Sequence, residues 1–194
     1  MIPSIPDSPI AQAAAALAAE AEPVDLLNHS YRTYLFGRYL VAEPGIDEEA
    51  AFVAAMLHDL GLAEDYRGEA EFARVGADHA CRFLEGRGWD PDRIHLVEEA
   101  ILRHANIHAE KVPEYRVIQA GAALDVGGLG YEHVRRDDLS GVLRAYPRLG
   151  FASHMRDRFL GEIRRHPEGS FAELERALGA TDLMGANPID RLEE

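Results

Sequence analysis

The sequence predicts an all-α fold, an irregular helical bundle, and two observations indicate it. Apolar residues recur every three or four positions along most of the chain, which is the period of a helix that buries one face. No stretch shows the alternation of polar and apolar residues that a half-buried strand requires. With 194 residues, 47% of them hydrophobic, the chain is long enough for one domain with a full core. The uneven lengths of the helical segments favour an irregular bundle over a regular up-and-down one.

Residues 1–22 are expected to form an N-terminal arm and an Ala-rich helix ahead of the main domain. The first ten residues contain three prolines, which favour a loose arm. Residues 11–22 are rich in alanine, the strongest helix former. This end has neither a basic start nor a long apolar run, so we do not expect a secretory signal. No run in the chain approaches the ~20 apolar residues of a membrane span.

The main helical domain is expected to cover residues 23–180. Its first helix, over "VDLLNHSYRTYLFGRYL", has an apolar face at helical spacing and ends before a Pro-Gly pair. The clearest helix of the chain is "IDEEAAFVAAMLHDLGL", for which Gly61 is the expected C-terminal stop. His58 and Asp59 therefore fall in its last turn, where side chains can converge on a site without breaking the helix.

Further helices are expected along the second half of the chain. One follows over "AEFARVGADHACRFLEG", and the next begins with Asp90 as its cap and Pro91 at its first position. In that helix His104 and His108 continue an apolar line. The helix over "VPEYRVIQAGAALD" is expected to end at Asp125. The remaining helices are expected near 137–146, 151–165 and 170–179, and residues 181–194 form a weakly patterned C-terminal tail.

Net charge and cysteine content limit the classes of partner and setting. The net charge of −14 argues against binding to a nucleic acid backbone or an anionic membrane, because both require a basic face. We therefore expect a small-molecule substrate, no nucleic acid and no membrane, and we leave a homo-oligomer open. Cys81 is the single cysteine, so no intramolecular disulfide can form and a reducing cytoplasm is the expected setting. Its helical context predicts a buried structural thiol rather than a nucleophile.

Several metal-competent side chains fall on helix faces that should be buried. His29 lies near the start of its helix, His58 and Asp59 end the next one, and Asp125 ends an apolar helix. An isolated buried carboxylate is costly, whereas carboxylates and imidazoles that share one divalent cation are stabilised. A mixed set of nitrogen and oxygen donors suits zinc, iron, manganese, cobalt or nickel better than calcium or magnesium. This pattern predicts a transition-metal site.

The same segments resemble the HD superfamily of metal-dependent hydrolases. "LLNHSYRTYLFG" resembles the first-ligand helix of that superfamily, "AAMLHDLGL" its central motif and "QAGAALDVGG" its last-ligand helix. The resemblance covers roughly residues 24–130, and its arrangement, with "ILRHAN" between the second and third motifs, is most similar to the cyanamide hydratase-like branch. It implies that His29, His58, Asp59 and Asp125 ligate the metal.

The resemblance also implies roles for residues beside the metal. His104 matches a histidine close to the site, where it would orient the attacking water as a catalytic residue together with Asp59, or contact the substrate. Arg32 is one helical turn from His29 and is expected to face the same cavity and bind the substrate.

One position departs from the two-metal members of the superfamily. Those members carry a further histidine four residues before a Gly-Ala pair. Here that pair is Gly76-Ala77, and the matching residue is Phe72. His79 is nearby but falls on another part of the helical turn. We therefore expect one divalent transition-metal ion, with zinc as the first candidate and iron, manganese or cobalt as the others.

Each of these residues also has an ordinary structural interpretation. A lone His-Asp pair is more often a helix-end histidine beside a surface acid, and only the whole pattern favours a metal. His104 fits an active-site role and a satisfied core histidine equally well, and Arg32 fits a substrate contact and a structural ion pair. His108 is expected at the surface or in packing. The histidines without a partner pattern are also expected at the surface: His95, His133, His154 and His166.

Three functions remain open from the sequence. The first is the hydration of a small nitrile such as cyanamide, which needs a tight pocket and no strong anion clamp. The second is the hydrolysis of a phosphate ester such as a nucleotide, which needs arginines near the metal, with Arg32, Arg67 and Arg103 as candidates. The third is a catalytically inactive module that binds a ligand, and the complete set of expected metal ligands argues against it.

Overall fold

A computed structural model describes residues 3–192 and confirms the all-α fold class. Within these residues the chain forms ten α-helices and no strand, joined by turns and short 3-10 segments. The helices are α1 (Pro9–Ala21), α2 (Val24–Leu40), α3 (Glu48–Leu57), α4 (Phe72–Glu85), α5 (Pro91–Arg103), α6 (Pro113–Gly127), α7 (Arg136–Ala145), α8 (Phe151–Arg165), α9 (Ser170–Leu178) and α10 (Ala180–Gly185).

The N-terminal segment packs on the bundle, in contrast to the loose arm expected from its prolines. Ser8 caps α1, and the alanines of one face of α1 are fully buried in the same core as α3. The carbonyl of Ser4 accepts a hydrogen bond of 3.2 Å from the hydroxyl of Tyr34. Proline therefore starts the helix here, at Pro9, instead of loosening the segment. Residues 1 and 2 lie outside the described range.

Helix α3 is the centre of the bundle. Every residue from Ala50 to Leu57 is buried, and α1, α2, α5 and α6 all pack around this helix. The helix ends at Leu57, earlier than expected from Gly61. That glycine lies in a 3-10 turn, where a Cβ atom would be 2.1 Å from the carbonyl oxygen of Phe72. Gly61 thus permits a close backbone approach to α4 and does not terminate α3.

Two glycines bring α2 and α6 into backbone contact. A Cβ atom on Gly37 of α2 would lie 2.0 Å from the carbonyl oxygen of Val117. A Cβ atom on Gly121 of α6 would lie 1.8 Å from the carbonyl oxygen of Thr33. No side chain fits between the two helices at these points. The close approach places His29 on α2 opposite Asp125 on α6.

We expect Gly121→Ala to destabilise the protein by about 2–3 kcal/mol, because the added methyl group forces α2 and α6 apart. Urea unfolding followed by circular dichroism measures this change. Gly185→Ala is the matched control, because a Cβ atom there has no neighbour within 4 Å among the described residues. If the urea midpoint of Gly121→Ala equals that of Gly185→Ala, the two helices are not held in contact at this position.

The C-terminal segment also packs on the domain. Helix α6 continues two residues beyond the expected end at Asp125 and stops at Gly128, whose φ of 73° is left-handed. In the segment expected to be a weakly patterned tail, Ile189 is fully buried. Asp190 accepts a 2.7 Å hydrogen bond from Nε of Arg148. Residues 193 and 194 are not described. Along residues 3–192, no helix has the length and apolarity needed to cross a membrane.

Candidate metal centre

His29 is held rigidly on the inner face of α2. The side chain is 1% exposed, and its Nδ1–H donates a 2.7 Å hydrogen bond to Oδ2 of Asp125. The imidazole stacks on the ring of Phe151 with a centroid distance of 4.6 Å. Because a carboxylate only accepts, the proton sits on Nδ1, and the lone pair of Nε2 faces the interior.

His58 follows α3 directly and is fully buried. Its Nδ1–H donates a 2.8 Å hydrogen bond to the carbonyl oxygen of Ala55, one turn earlier in the same helix. This bond also leaves Nε2 as an acceptor that faces the interior. Burial, and after it the nearby His29, lower the pKa of His58 to about 3, so the ring is neutral at ordinary pH.

Three acceptor atoms converge at one point. Nε2 of His29 lies 3.3 Å from Nε2 of His58, and Oδ2 of Asp59 lies 3.6 Å and 3.4 Å from these two nitrogens. His29, His58 and Asp59 form the one such group of potential metal ligands among residues 3–192.

The spacing and chemistry of this triangle fit a divalent cation. A tetrahedral ion with ligand bonds of about 2.0–2.1 Å holds its ligand atoms about 3.3–3.4 Å apart. Lone pairs on the two Nε2 atoms and the carboxylate oxygen would repel one another unless a positive charge lies between them. The hydroxyl of Thr33 approaches Nε2 of His29 at 3.5 Å, the outer limit of a hydrogen bond, and cannot satisfy three acceptors. A bound cation would satisfy all three.

Asp125, the fourth expected ligand, lies behind His29 and outside this group. Its Oδ2 accepts the hydrogen bond from His29, and both carboxylate oxygens also accept hydrogen bonds of 2.8 Å from the guanidinium of Arg32. This geometry is that of a carboxylate that orients a metal-binding histidine, an arrangement common around protein metals. Asp125 thus contacts the far side of the His29 ring, and its carboxylate is not among the three atoms that converge.

Arg32 lies behind the site with Asp125 and not at the substrate cavity, in contrast to the substrate contact we expected. The side chain is fully buried, and its Nη1 donates to the carbonyl oxygens of Tyr146 and Pro147. Its guanidinium thus contacts Asp125 and these two carbonyl oxygens. The alternative interpretation of Arg32, a structural ion pair, matches its surroundings.

Arg148 is a site residue that sequence reasoning missed. The side chain is 1% exposed, and its Nη1 donates 2.7 Å hydrogen bonds to Oδ1 and to the backbone carbonyl oxygen of Asp125. Burial alone would raise the pKa of Asp125, but Arg32 and Arg148 lower it far below its usual value. Asp125 is therefore a permanent anion between two cations.

His104, at the end of α5, faces His29, His58 and Asp59, the three potential ligands that we call the metal cluster. Its Nδ1–H donates a 2.6 Å hydrogen bond to the carbonyl oxygen of Ile101, and its Nε2 lies 3.8 Å from Oδ1 of Asp59. Burial, and after it the nearby His58, lower the pKa of His104 to about 4. The ring packs edge-on against Phe72. His104 is thus neutral and able to accept a proton at Nε2.

The neutral histidines predict a dependence of stability on pH in metal-free protein. Unfolded imidazoles bind protons near pH 6.5, whereas His58 and His104 in the fold bind them near pH 3 and pH 4. The two histidines contribute fully to the free energy of unfolding above pH 6.5. This contribution is lost as the pH falls towards 4, because the unfolded chain then binds more protons than the folded chain. At pH 5 the loss is about 2 kcal/mol for each histidine.

Urea unfolding of chelated protein at pH 7 and pH 5 measures this loss. We expect His104→Gln to reduce the pH dependence by about 2 kcal/mol. His95→Gln is the control, since His95 is 69% exposed. Equal pH dependence in wild type and His104→Gln would show that His104 is not kept neutral by burial.

Glu22 is a second buried group that the sequence did not indicate. It follows α1, and its Oε2 accepts a 3.2 Å hydrogen bond from the hydroxyl of Ser30, next to His29 in the chain. Its Oε1 has no hydrogen-bond partner within the described part of the chain. Burial raises the pKa of Glu22 well above its usual value, and the charge of Asp59 raises it further. The carboxyl group favours its neutral form beside the cluster.

The other candidates lie away from the cluster. His79 is partly buried and packs edge-on against Tyr66, outside the group of potential ligands. Arg103 is exposed and pairs with Glu99. Arg67 lines a separate groove with Arg158, Arg164 and Arg165, and no residue of that groove lines the cavity at the metal cluster. Cys81 is partly buried, and burial raises the pKa of its thiol to about 11, as fits a structural cysteine.

A cavity of about 490 Å³ opens onto the cluster. His29, His58, Asp59 and His104 contribute to its wall, and most of the other lining residues are aliphatic or aromatic. Arg32, Asp125 and Arg148 do not contribute to it. The three acceptor atoms therefore face a space that a small molecule can enter, whereas the two arginines and Asp125 support the cluster from behind.

Comparison with known proteins matches residues 26–140 to the family model described as "HD domain", which covers more than half of the chain. The Ribonuclease Y of Petrotoga mobilis is 32% identical over 125 residues, 64% of this chain and 22% of the relative. The Ribonuclease Y of Syntrophobacter fumaroxidans is 31% identical over 130 residues, 63% of this chain and 24% of the relative. The chain thus spans about a quarter or less of the length of these curated relatives.

Proposed function

The chain belongs to the HD domain family, and from this premise we propose that it is a metal-dependent hydrolase whose ion is held by His29, His58 and Asp59. One observation carries the proposal: Nε2 of His29, Nε2 of His58 and Oδ2 of Asp59 are buried 3.3–3.6 Å apart, while the Nδ1 atoms of both rings are engaged in other hydrogen bonds. We retain Asp125 as a fourth ligand only if its carboxylate turns from His29 when the metal binds. Otherwise it orients the His29 ring.

The donor set supports one transition-metal ion. Two imidazole nitrogens and one carboxylate oxygen suit zinc first, with iron, manganese or cobalt as alternatives. A second ion would need further ligands, and the aromatic ring of Phe72 stands beside His104 instead of an imidazole. We therefore keep the proposal of a single ion.

The protein's own groups would prepare a water molecule for attack. A divalent ion bound here supplies the chemistry of lowering the pKa of water towards neutrality and of polarising the substrate. Nε2 of His104 is the proton acceptor of the proposed site, because its Nδ1 is already engaged by Ile101. Oδ1 of Asp59, 3.8 Å from that nitrogen, helps to hold the water in line. Phe151 and the buried helices around His29 and His58 exclude bulk water.

We propose a small phosphate ester as the substrate. Membership of the HD domain family and the ribonuclease names of the relatives support phosphate-ester chemistry. The net charge of −14 and a cavity wall without arginine or lysine among the described residues argue against a long nucleic acid strand at this site.

A second candidate is the hydration of a small nitrile such as cyanamide. The resemblance to the cyanamide hydratase-like branch suggested it, and one feature of the structure favours it. The cavity wall has no cationic clamp, and neither Arg32, Arg67 nor Arg103 contributes to it. A neutral nitrile needs no such clamp, whereas a phosphate dianion would depend on the metal alone for its charge.

Two parallel assays test these functions. Protein loaded separately with zinc, iron, manganese or cobalt is incubated with a panel of nucleotides and aryl phosphates, and released phosphate is measured. The same preparations are incubated with cyanamide, and urea is measured. We expect metal-dependent phosphate release that chelation removes. Urea without phosphate would select the nitrile reaction, and neither product with any metal would indicate a ligand-binding module without turnover.

A further inference from the structure

We propose that the substrate of this site has an apolar body that fills much of the 490 Å³ cavity, with its single reactive polar group at the metal cluster. This inference rests on the proposed function and specifies the class of molecule on which the site acts. It excludes a nucleotide or a nucleic acid strand as the preferred ligand. Three features support this inference: the residues of the cavity wall, the residues of its rim and the position of the arginines.

Beyond the metal cluster and His104 the wall of the cavity is mostly apolar, and its polar residues are Asn106, Gln119 and His133. Helix α8 contributes Met155 and Phe159, and α9 and α10 contribute Phe171, Leu174 and Met184. These side chains would leave a sugar or a base without polar partners, and unpaired polar groups are costly to bury. An apolar ligand instead gains free energy from each methylene that leaves water.

Gln119 and Asn106, two polar residues of the wall, are already engaged with the protein. Nε2 of Gln119 donates 2.8 Å hydrogen bonds to the carbonyl oxygens of Asn106 and His108, and Oε1 of Gln119 accepts one of 3.0 Å from the backbone of Glu110. The side-chain amide of Asn106 donates to Glu110. These groups hold the loop after α5 in place, so their donors are not directed at a ligand.

The rim of the cavity carries exposed apolar side chains. Leu129 is 43% exposed and Leu178 is 45% exposed, and both contribute to the wall. They are two of the four large hydrophobic residues with high exposure among the described residues. An apolar ligand that passes between them would cover them, whereas an empty or polar cavity leaves them in water.

The arginines of this chain are placed elsewhere. Arg32 and Arg148 are sealed behind the cluster with Asp125, and the exposed Arg164 and Arg165 line the separate groove. Helix α8, which supplies cavity residues on one face, thus keeps its basic residues on another. A substrate with several negative charges would enter an apolar cavity of an acidic protein with no cation beyond the proposed metal ion to compensate them.

A chain-length series tests the inference without turnover. Methyl-, butyl-, hexyl- and octylphosphonic acid share one head group for the metal and differ only in apolar length. Calorimetric titration of zinc-loaded protein is expected to show affinity that rises about fourfold per methylene until the chain fills the cavity. A single-stranded RNA of about 20 nucleotides is expected not to displace octylphosphonate.

A variant that fills the cavity localises the effect. Ala123 of α6 is part of the wall and half-buried, so Ala123→Leu extends into the cavity. We expect this variant to bind methylphosphonate like wild type and to lose about tenfold or more of octylphosphonate affinity. Ala145→Leu, at an exposed position of α7, is the matched control and should keep the full series.

The outcomes separate this inference from the proposed function. Equal affinity for all four phosphonates, or displacement of octylphosphonate by RNA, overturns the apolar substrate while metal-dependent phosphate release can persist. Conversely, if no substrate is turned over but phosphonate affinity rises steeply with chain length, the proposed hydrolase function is contradicted and the apolar ligand is supported. If Ala123→Leu unfolds, the series on wild type still decides the question.

Discussion

Asp59→Asn is expected to purify without its metal ion and without hydrolase activity. The amide keeps the shape of the side chain but removes the negative charge that offsets the cation, and Oδ2 of Asp59 is the carboxylate oxygen of the three-atom triangle. We expect metal affinity to fall by more than the roughly 10–100-fold that is typical when a residue behind a ligand is changed. Elemental analysis of protein prepared without chelator, followed by competition with a chelator, measures the loss.

Two comparisons make this result specific. Asp65→Asn changes an exposed acid six residues further on and should leave metal content unchanged. Asp125→Asn should weaken metal binding by about 10–100-fold if Asp125 only orients His29. A loss as complete as that of Asp59→Asn would make Asp125 a direct ligand, as the sequence suggested. Full metal content in Asp59→Asn would contradict the proposed site.

Arg148→Met is expected to destabilise the protein by about 3–5 kcal/mol, since it removes one partner of a buried charge network. Arg148 donates to the carboxylate and the backbone of Asp125 and also to Asp190, so its loss removes three hydrogen bonds and one of the two buried cations that balance Asp125. Methionine retains most of the apolar volume, so the charge is the main change. Chemical unfolding in urea gives the free energy of unfolding directly.

The control for Arg148 is Arg144→Met. Arg144 lies four residues earlier, at the exposed end of α7, and its replacement should change the free energy of unfolding by less than about 0.5 kcal/mol. If Arg148→Met is as stable as this control, then the two buried arginines are not both needed to balance Asp125. In that case Arg32 alone would carry the ion pair.

Sequence reasoning succeeded where the signal is local. The apolar period of three to four residues predicted most of the helices, because a helix that buries one face shows that period within a few turns. Three of the four expected ligands also meet in the fold. His58 and Asp59 are adjacent in the chain, and the motif that contains His29 lies entirely within α2. Their convergence requires only that α2 and α3 pack with these faces inward.

Helix ends were predicted less well, because one residue type serves several purposes. Gly61 was expected to end α3, but it permits the backbone of Phe72 to approach. The prolines of the first ten residues were expected to loosen the chain, but Pro9 starts a buried helix. A glycine or proline indicates an unusual backbone requirement, and only the neighbouring element shows which requirement it is.

Arg148 and Glu22 had no signal that the sequence could provide. Each is a single charged residue near a helix end, where charges are normally exposed, yet Arg148 is buried against Asp125 and Glu22 against Ser30. Arg32 was recognised as important, yet the choice between substrate contact and ion pair depended on which side of the cluster its guanidinium lies. Its distances of 2.8 Å to Asp125 place it behind the cluster.

The amino-acid order alone specifies an all-α chain that presents two histidines and an aspartate on inward faces, because helical period, caps and apolar stripes act over a few residues. Packing decided that Asp125 lies behind His29, that two arginines are buried around it, and that the described cavity wall contains no arginine or lysine. These features depend on contacts between helices up to about a hundred residues apart. The energies of such contacts come from mutual exclusion of water and charge pairing, and no local pattern encodes them.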